Sequence, residues 1–287
     1  MPRLWLDHAY NLVDSPAIFR SLIGRGFTPN PLEIEHEGSL LCRFFLFPGP
    51  GGERFQYLEL CEIRDPSALR SARERESRRP LCEQDLLEPG LSLRSDEPLA
   101  ETYEALRTEL APHEPVLEHK SRRWQTDPAG PGWNYLKFRR ALLPGCNLWI
   151  TEYETHDPEA RLPSASEIPP HANTAYQLAG AVLRVQEPER RALRALLGHP
   201  DDSDDDSGGS LALPGGAALW LLDPGEAPEL APKQTPFVAV VLRCASLARF
   251  CEVARPDYVL ELRGRRAAGI RLGASRFDLL ITESAPP

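Results

Sequence analysis

The alternation of apolar and polar positions at the start of the chain predicts one strand, one short helix and then further strands. Residues 3–13 form an apolar run that is typical of a strand, and residues 17–23 carry apolar side chains at helical spacing after an N-cap residue and a proline. Apolar runs over 40–47 and 55–63 predict the strands that follow. The first module is therefore expected to span 3–63.

The same order of elements returns along the chain. A helical pattern and two apolar runs, over 133–143 and 147–154, follow the first module, and the pattern restarts near 171. A last module of strand, short helix and three strands is predicted at about 237–284. The recurrence, at roughly 50 to 70 residues, indicates an internal repeat.

A proline-bearing stretch divides the predicted copies into two halves. We expect one half at 1–160, with two modules, and the second at 161–287. The second half contains an acidic run, 201–210, which predicts a loop because its aspartates, serines and glycines offer little to bury. A calcium site is the alternative there, although the run lacks the ligand spacing of an EF-hand loop.

Composition and charge exclude several classes of function. The chain has 287 residues and a formal net charge of −9, so it repels phosphate backbones and anionic membrane surfaces. It has no apolar run long enough to span a membrane and no signal peptide, which predicts a cytoplasmic protein. Nucleotide-binding glycine motifs are also absent, so no nucleotide cofactor is expected. We expect a small-molecule ligand, no nucleic-acid partner, no membrane partner, and a monomer or homodimer.

The six cysteines are scattered through apolar runs without a C-x-x-C pair. This spacing excludes a zinc ribbon. A disulfide framework is improbable in a chain of this size, and free cysteines are commonly buried. The sequence therefore predicts buried thiols.

Four segments, together with the repeat, resemble the vicinal oxygen chelate superfamily, and more narrowly its glyoxalase, bleomycin-resistance and extradiol dioxygenase group. These segments are LDHAYNLV at 6–13, HEGSLLCRFFLF at 36–47, FQYLELCEI at 55–63 and HANTAYQLAGAVLRV at 171–185. The resemblance implies an α+β fold of tandem βαβββ modules, which form curved, half-open mixed sheets with short helices outside. It also implies a concave face that binds a divalent metal or a small molecule.

The resemblance further implies that metal ligands lie on the first and last strands of each module. The matching positions are His8, Glu59 and, from the paired module, Glu152. Imidazole and carboxylate are ordinary ligands of zinc, nickel, manganese or iron. Glu59 and Glu152 are also the candidate catalytic carboxylates. Glu283 is the matching carboxylate of the last module, and His171 precedes the first strand of the second half.

Three further residues are candidates for the wall of the pocket: His36, Tyr57 and Trp149. Each candidate also has a simpler interpretation. His8 can hydrogen-bond locally beside Asp7, and Glu152 can pair with an arginine across its hairpin. A carboxylate such as Glu59, on an apolar strand, must be paired, metal-bound or placed in a cavity.

The sequence thus favours a protein that binds a small polar organic molecule in a concave pocket. If it is an enzyme, the resemblance implies a divalent metal acting as a Lewis acid in lyase, isomerase or dioxygenase chemistry. The alternative is a metal-free protein that sequesters a small molecule, as bleomycin-resistance proteins do, or a non-catalytic scaffold.

Overall fold

The computed structural model describes most of the chain, namely residues 2–13, 15–36, 39–49, 55–77, 80, 88–113, 117–122, 132–138, 142–154, 165–199, 209–223, 225–226, 230, 236–272 and 277–283. The predicted division at 160/161 and most of the acidic run, 201–208, lie outside these residues. None of the helices in the described part of the chain is long and apolar enough to cross a membrane.

The described residues of the first half contain eight strands and three α-helices. In chain order these are β1 (Leu4–Val13), α1 (Pro16–Gly24), β2 (Glu33–His36), β3 (Leu40–Pro48), β4 (Phe55–Ile63), α2 (Pro66–Ser77), β5 (Gly90–Ser95), α3 (Leu99–Glu109), β6 (Leu117–Arg122), β7 (Gly132–Phe138) and β8 (Asn147–Glu154).

The second half follows the same pattern, with seven strands and two α-helices among its described residues. They are β9 (Ala175–Arg184), α4 (Glu187–Leu197), β10 (Ser210–Ala212), β11 (Ala218–Leu222), β12 (Phe237–Cys244), α5 (Leu247–Ala254), β13 (Tyr258–Leu262), β14 (Arg265–Ile270) and β15 (Asp278–Glu283).

Strand pairing divides the protein into two mixed sheets. The N-terminal sheet has the order β2-β3-β4-β1-β5-β8-β7-β6, and the C-terminal sheet has the order β10-β11-β9-β12-β15-β14-β13. In the N-terminal sheet β1 runs parallel to β4, β5 runs parallel to β8, and β1 and β5 pair antiparallel. Each sheet is therefore two modules joined through their first strands, and the predicted fold class is confirmed.

The start of α1 shows how local sequence determines the boundaries of an element. Ser15 has extended backbone, and its hydroxyl accepts a hydrogen bond from the backbone N–H of Ala17 at 3.1 Å. Pro16 occupies the first turn, where its missing N–H leaves no intrahelical bond unmade. The predicted N-cap and proline therefore have the expected roles.

The two sheets share one hydrophobic core on their helix-bearing faces. Phe45 and Leu58 of the N-terminal sheet belong to the same buried cluster as Leu178 and Val240 of the C-terminal sheet. Helices α1, α3, α4 and α5 contribute Leu22, Leu106, Leu193 and Phe250 to this cluster. Apolar burial drives this association, so the two halves form one structural body within the described residues.

The opposite face of each sheet, which we call its inner face, has a different composition. The inner face of the C-terminal sheet is packed by small and aliphatic side chains such as Val182, Val241 and Leu280. The inner face of the N-terminal sheet is rich in aromatic and polar side chains instead, including Tyr10, Phe44 and Phe55. Helix α2 contributes Leu69 to that face and so covers part of it.

The cysteines differ from the sequence prediction at one pair. Cys42 of β3 and Cys61 of β4 lie directly opposite each other in the antiparallel register and form a disulfide, with 4.1 Å between their Cα atoms. The prediction of buried free thiols is therefore wrong for this pair, because sequence spacing does not reveal strand register. Cys146 and Cys244 are buried free thiols as predicted, and Cys82 lies outside the described residues.

His171 connects the segment before β9 to the first half. Its Nδ1 accepts a hydrogen bond from the backbone N–H of Thr28 at 2.9 Å, and its ring packs edge-on against Phe27 and Phe47. Burial lowers the pKa of His171 to about 4. The neutral imidazole is thus the form that the folded protein accommodates.

The pKa of His171 predicts a loss of stability in acid. The folded pKa is depressed from 6.5, so the contribution is complete above pH 6.5 and is lost as the pH falls towards 4. The slope for one proton is at most about 1.4 kcal/mol per pH unit. In urea unfolding between pH 7.5 and 4, His171→Asn keeps a similar acceptor and should show a shallower decrease than wild type.

The matched control for losing one histidine is His199→Asn, because His199 is a half-buried residue just beyond α4. Parallel pH–stability curves for wild type and His171→Asn would contradict the prediction.

Candidate functional site

The inner face of the N-terminal sheet brings His8 and Glu59 together at its centre. β1 and β4 run parallel with His8 beside Tyr57, so Glu59, two residues further along β4, projects from the same face. The Nε2 atom of His8 lies 3.9 Å from Oε2 of Glu59. The two strongest ligand candidates of the sequence analysis are therefore neighbours.

Aromatic rings hold the imidazole of His8 in place. Tyr57 stacks on it, with 4.2 Å between ring centroids and 12° between planes, and Trp149 approaches it edge-on at 5.3 Å. Phe44 packs edge-on against Tyr57 at 5.6 Å. Tyr57 and Trp149, predicted as pocket wall, thus line the same place as His8.

A bulge in β1 supplies the second partner of His8. Neighbouring residues of a regular strand point to opposite faces, but the register of β1 against β5 shifts between Leu6 and His8. Oδ2 of Asp7 lies 2.6 Å from Nδ1 of His8. A carboxylate on Nδ1 fixes the orientation of the ring and directs Nε2 towards Glu59.

Asp7 is the centre of a buried polar network. Its Oδ1 is 2.8 Å from Nη2 of Arg94, and its Oδ2 accepts a hydrogen bond from the hydroxyl of Tyr153 at 2.7 Å. The hydroxyls of Tyr153 and Tyr57 are 3.0 Å apart, so the network returns to the ring that stacks on His8. Oδ1 of Asp7 and the Nε and Nη2 atoms of Arg94 are buried without a directed hydrogen bond in the described part of the chain, so the ion pair is what compensates these two charges.

The pKa values of the two carboxyl groups of the site, Asp7 and Glu59, are shifted in opposite directions. Burial alone would raise the pKa of Asp7, but the charge of Arg94, together with His8 and Tyr153, lowers it below its ordinary value. Burial raises the pKa of Glu59; His8 opposes this rise, while the charge of Asp7 adds to it. Asp7 is therefore ionised at neutral pH, whereas Glu59 holds a proton to a higher pH than an exposed glutamate does.

The register identifies the positions of the second module that match His8 and Glu59. Ser92 of β5 lies beside Trp149 of β8, just as His8 lies beside Tyr57, so Thr151 matches Glu59. The hydroxyls of Ser92 and Thr151 hydrogen-bond each other at 2.8 Å. The second module thus provides two mutually satisfied hydroxyls where the resemblance implies two metal ligands.

Glu152 does not join the site. Trp149, Thr151 and Tyr153 alternate towards the inner face, so Glu152 projects from the helix-bearing face. Its Oε1 accepts a hydrogen bond from the backbone N–H of Leu99 at 3.2 Å, at the start of α3. A carboxylate there satisfies one of the free N–H groups of the helix terminus.

Of the remaining candidates, His36 lies near Glu59, whereas His171 and Glu283 lie away from it. His36 lies at the end of β2 close to Glu59, and the ligand atoms of His36, Cys42 and Glu59 are within 4.8 Å of one another. Among the described residues these three form a group that could hold a metal ion. His171 bonds to Thr28, and Glu283 is exposed at the end of β15.

Two members of the site, Arg94 and Tyr153, were not predicted. The alternation of Trp149 and Tyr153 along one strand is a signal that could have identified Tyr153. Arg94 gives no such signal, because an arginine near the end of a strand is usually exposed.

The raised pKa of Glu59 predicts that this residue destabilises the fold at neutral pH. A carboxyl whose folded pKa is raised contributes less stability as the pH rises from 4.5 through its folded pKa. Each unit of that rise corresponds to about 1.4 kcal/mol. Glu59→Gln should therefore raise the thermal unfolding temperature at pH 8 more than at pH 4.

The matched control is Glu261→Gln, which changes an exposed glutamate of β13. If Glu59→Gln lowers the unfolding temperature at pH 8, or changes it equally at both pH values, the carboxylate is stabilised rather than strained by its surroundings.

Comparisons with known proteins agree with this architecture. No protein-family model matches the sequence, and a search of curated proteins finds no significant match. A halotolerant catechol dioxygenase is similar in structure, with a TM-score of 0.53 and 12% identity over 99% of this chain and 87% of the other. A mutant 4-hydroxymandelate synthase from Streptomyces coelicolor has a TM-score of 0.50 and 11% identity over 100% of this chain and 95% of the other.

At such low identity the likeness concerns the fold, and it extends over both halves of the chain. The paired βαβββ modules, the order of strands in each sheet and these structural neighbours lead to one conclusion. The chain has the same fold as these two enzymes, which is the fold that the resemblance to the vicinal oxygen chelate superfamily implies.

Proposed function

We propose that the chain binds a small polar organic molecule on the inner face of its N-terminal sheet and transfers a proton to or from it through His8 and Glu59. The observation that carries this proposal is the distance of 3.9 Å between Nε2 of His8 and Oε2 of Glu59, with Nδ1 of the same ring held by Asp7. The two side chains project from one face of the sheet, so a molecule bound there can contact both of them, as an acid and a base must.

The composition of the inner face supports an organic ligand. Aromatic side chains surround a small number of polar groups, which is the usual make-up of a small-molecule site. The equivalent face of the C-terminal sheet is packed by side chains such as Val182, Leu222 and Val241. The N-terminal half is therefore the better location for the site.

The charges predict the kind of ligand. Arg94 is already neutralised by Asp7 at 2.8 Å, so it offers little net positive charge to an anion. Burial favours the neutral form of Glu59. A neutral molecule with neighbouring oxygens, such as a catechol, a diketone or a thiohemiacetal, suits these surroundings better than a polyanion.

His8 and Glu59 have distinct roles in the proposed step. Asp7 fixes the imidazole so that Nε2 can accept a proton from a ligand hydroxyl or an acidic C–H group. Glu59, which holds its proton more tightly than an exposed glutamate, can return a proton to a neighbouring oxygen. This exchange is the chemistry of an isomerase or a lyase.

A divalent metal is the cofactor that the resemblance implies, but the ligand set does not fit. His8 and Glu59 are suitable ligands, whereas the matching positions of the second module hold Ser92 and Thr151, which satisfy each other. We therefore assign no metal-dependent step to the four matched positions.

The same incomplete ligand set favours a second candidate function, which is sequestration without chemistry. A sequestering protein needs the aromatic walls and the polar contacts but no acid or base. Both functions require that the ligand binds, but only proton transfer predicts that the ligand is converted into a product.

Binding is tested by isothermal titration of the protein with catechol and with 4-hydroxymandelate, followed by turnover assays on a 1,2-diketone and a thiohemiacetal. We expect binding of at least one probe, and we expect His8→Gln and Glu59→Gln to weaken it roughly 10-fold, because each removes a hydrogen bond to the ligand. Turnover that is lost in Glu59→Gln supports proton transfer, whereas binding without turnover supports sequestration.

Glu261→Gln is the control and should bind as wild type does. A protein that binds none of the probes, or variants that bind every probe as tightly as wild type, would contradict a ligand site at His8 and Glu59.

A further inference from the structure

The edge of the inner face next to Glu59 carries a second group of ligating side chains. His36 ends β2, Cys42 lies in β3 and Glu59 lies in β4, three neighbouring strands of one module. Cys42 pairs with Ile34, which is two residues from His36 on β2. Glu59 pairs with Phe44, which is two residues from Cys42 on β3. Residues two apart share a face, which places the three ligand atoms within 4.8 Å of one another.

The backbone holds this edge of the sheet. The N–H of Ser39 donates to the carbonyl of His36 at 2.9 Å, and the Ser39 hydroxyl donates to the same carbonyl at 3.2 Å. The hydrogen-bonded register of β3 against β4 positions the other two members. Ligands on paired strands need only side-chain rotations to reach a common ion.

The chemistry of the donors suits zinc. One imidazole, one thiolate and one carboxylate are typical ligands of Zn²⁺, and three protein ligands leave the fourth tetrahedral position open. At ordinary zinc bond lengths of about 2.0 to 2.3 Å, neighbouring ligand atoms are roughly 3.3 to 3.8 Å apart, so modest rotations would close the set. All three ligands come from a single module.

One observation prevents this site from existing in the oxidised protein. Sγ of Cys42 is bonded to Sγ of Cys61, and a disulfide sulfur is not the thiolate that binds a metal. Cys61 also lies beside the site, because its Sγ is 3.3 Å from Oε1 of Glu59. After reduction the Cys61 thiol can donate to that oxygen, which leaves Oε2 of Glu59 for an ion.

We propose that His36, Cys42 and Glu59 form a Zn²⁺ site that opens when the Cys42–Cys61 disulfide is reduced and closes when it forms again. Two electrons and two protons convert the disulfide into two thiols, and a dithiol reductant is oxidised to its own disulfide in the same exchange. Zinc binding then displaces the proton of the Cys42 thiol. Reoxidation of the two cysteines expels the ion.

The experiment compares reduced and oxidised full-length protein. Protein is reduced with a phosphine, which becomes its oxide, and is then freed of reductant without air; a second sample is oxidised with diamide. Zn²⁺ binding is measured by equilibrium dialysis, and Co²⁺ is added in parallel to detect the absorption of a cobalt–thiolate bond. We expect one equivalent of metal and the cobalt–thiolate absorption in reduced protein, and at least a 100-fold weaker affinity in oxidised protein.

Two cysteine variants separate the ligand from its disulfide partner. Both Cys42→Ser and Cys61→Ser remove the disulfide, so any general loss of stability is matched between them. Cys42→Ser should lose zinc and the cobalt–thiolate absorption, whereas Cys61→Ser should bind zinc even after treatment with diamide. His36→Gln should weaken zinc binding at least 10-fold, and Cys251→Ser, which changes a half-buried free thiol, should bind as wild type does.

The proposal is wrong if reduced wild type and Cys61→Ser both fail to bind zinc, or if Cys42→Ser binds as tightly as wild type. It is also wrong if oxidised and reduced wild type bind equally. These outcomes do not depend on the organic ligand of His8 and Glu59, because Cys42 and Cys61 take no part in that proton transfer.

Discussion

The pairing of β1 on both of its edges is the constraint on which the rest of this structure depends. β1 pairs in parallel with β4 of its own module and antiparallel with β5 of the next. The first pairing places His8 beside Tyr57 and two residues from Glu59, and the second places it beside Ser92. A central strand has no free edge on which its register can slip, so the position of His8 is determined by backbone hydrogen bonds on both sides.

That position creates an electrostatic problem, which the bulge in β1 resolves. A buried imidazole needs a partner for Nδ1, and the bulge turns Asp7 towards it. The buried carboxylate of Asp7 would be costly alone, but Arg94 and Tyr153 compensate it. Burial raises the pKa of Glu59, and His8 at 3.9 Å opposes that rise only in part. One module thus contains two carboxyl groups with opposite tendencies, which is the arrangement that acid–base chemistry requires.

Much of this architecture could be predicted from the sequence, because the repeat of strand and helix periods is a local signal. His8, Tyr57, Glu59 and Trp149 follow from that repeat together with the family resemblance. Strand alternation alone places Trp149 and Glu152 on opposite faces of β8, so the two candidates could not both face one pocket. The ligand position implied for Glu152 falls on Thr151, one residue away.

The disulfide and the role of Arg94 could not be predicted in this way. Cys42 and Cys61 are 19 residues apart, and only the register of β3 against β4 makes them opposite neighbours. Register is determined by packing across strands and by turn geometry, neither of which periodicity contains. The ion pair of Arg94 with Asp7 likewise joins two modules, so it depends on the pairing of β1 with β5.

The two faces of the N-terminal sheet have separate roles, because one packs into the shared core and the other carries the candidate site. The residues of such a site can therefore change while the fold is kept. The helix-bearing face contributes Phe45, Leu58 and Leu93 to the core that both halves share, so it is constrained by packing. The inner face carries His8, Glu59 and the disulfide outside that core. In the second module, Ser92 and Thr151 occupy the positions that match His8 and Glu59. They carry hydroxyls instead of an imidazole and a carboxylate, and their strands pair in the same way. Chemistry on the inner face can therefore vary independently of the interactions that stabilise the protein.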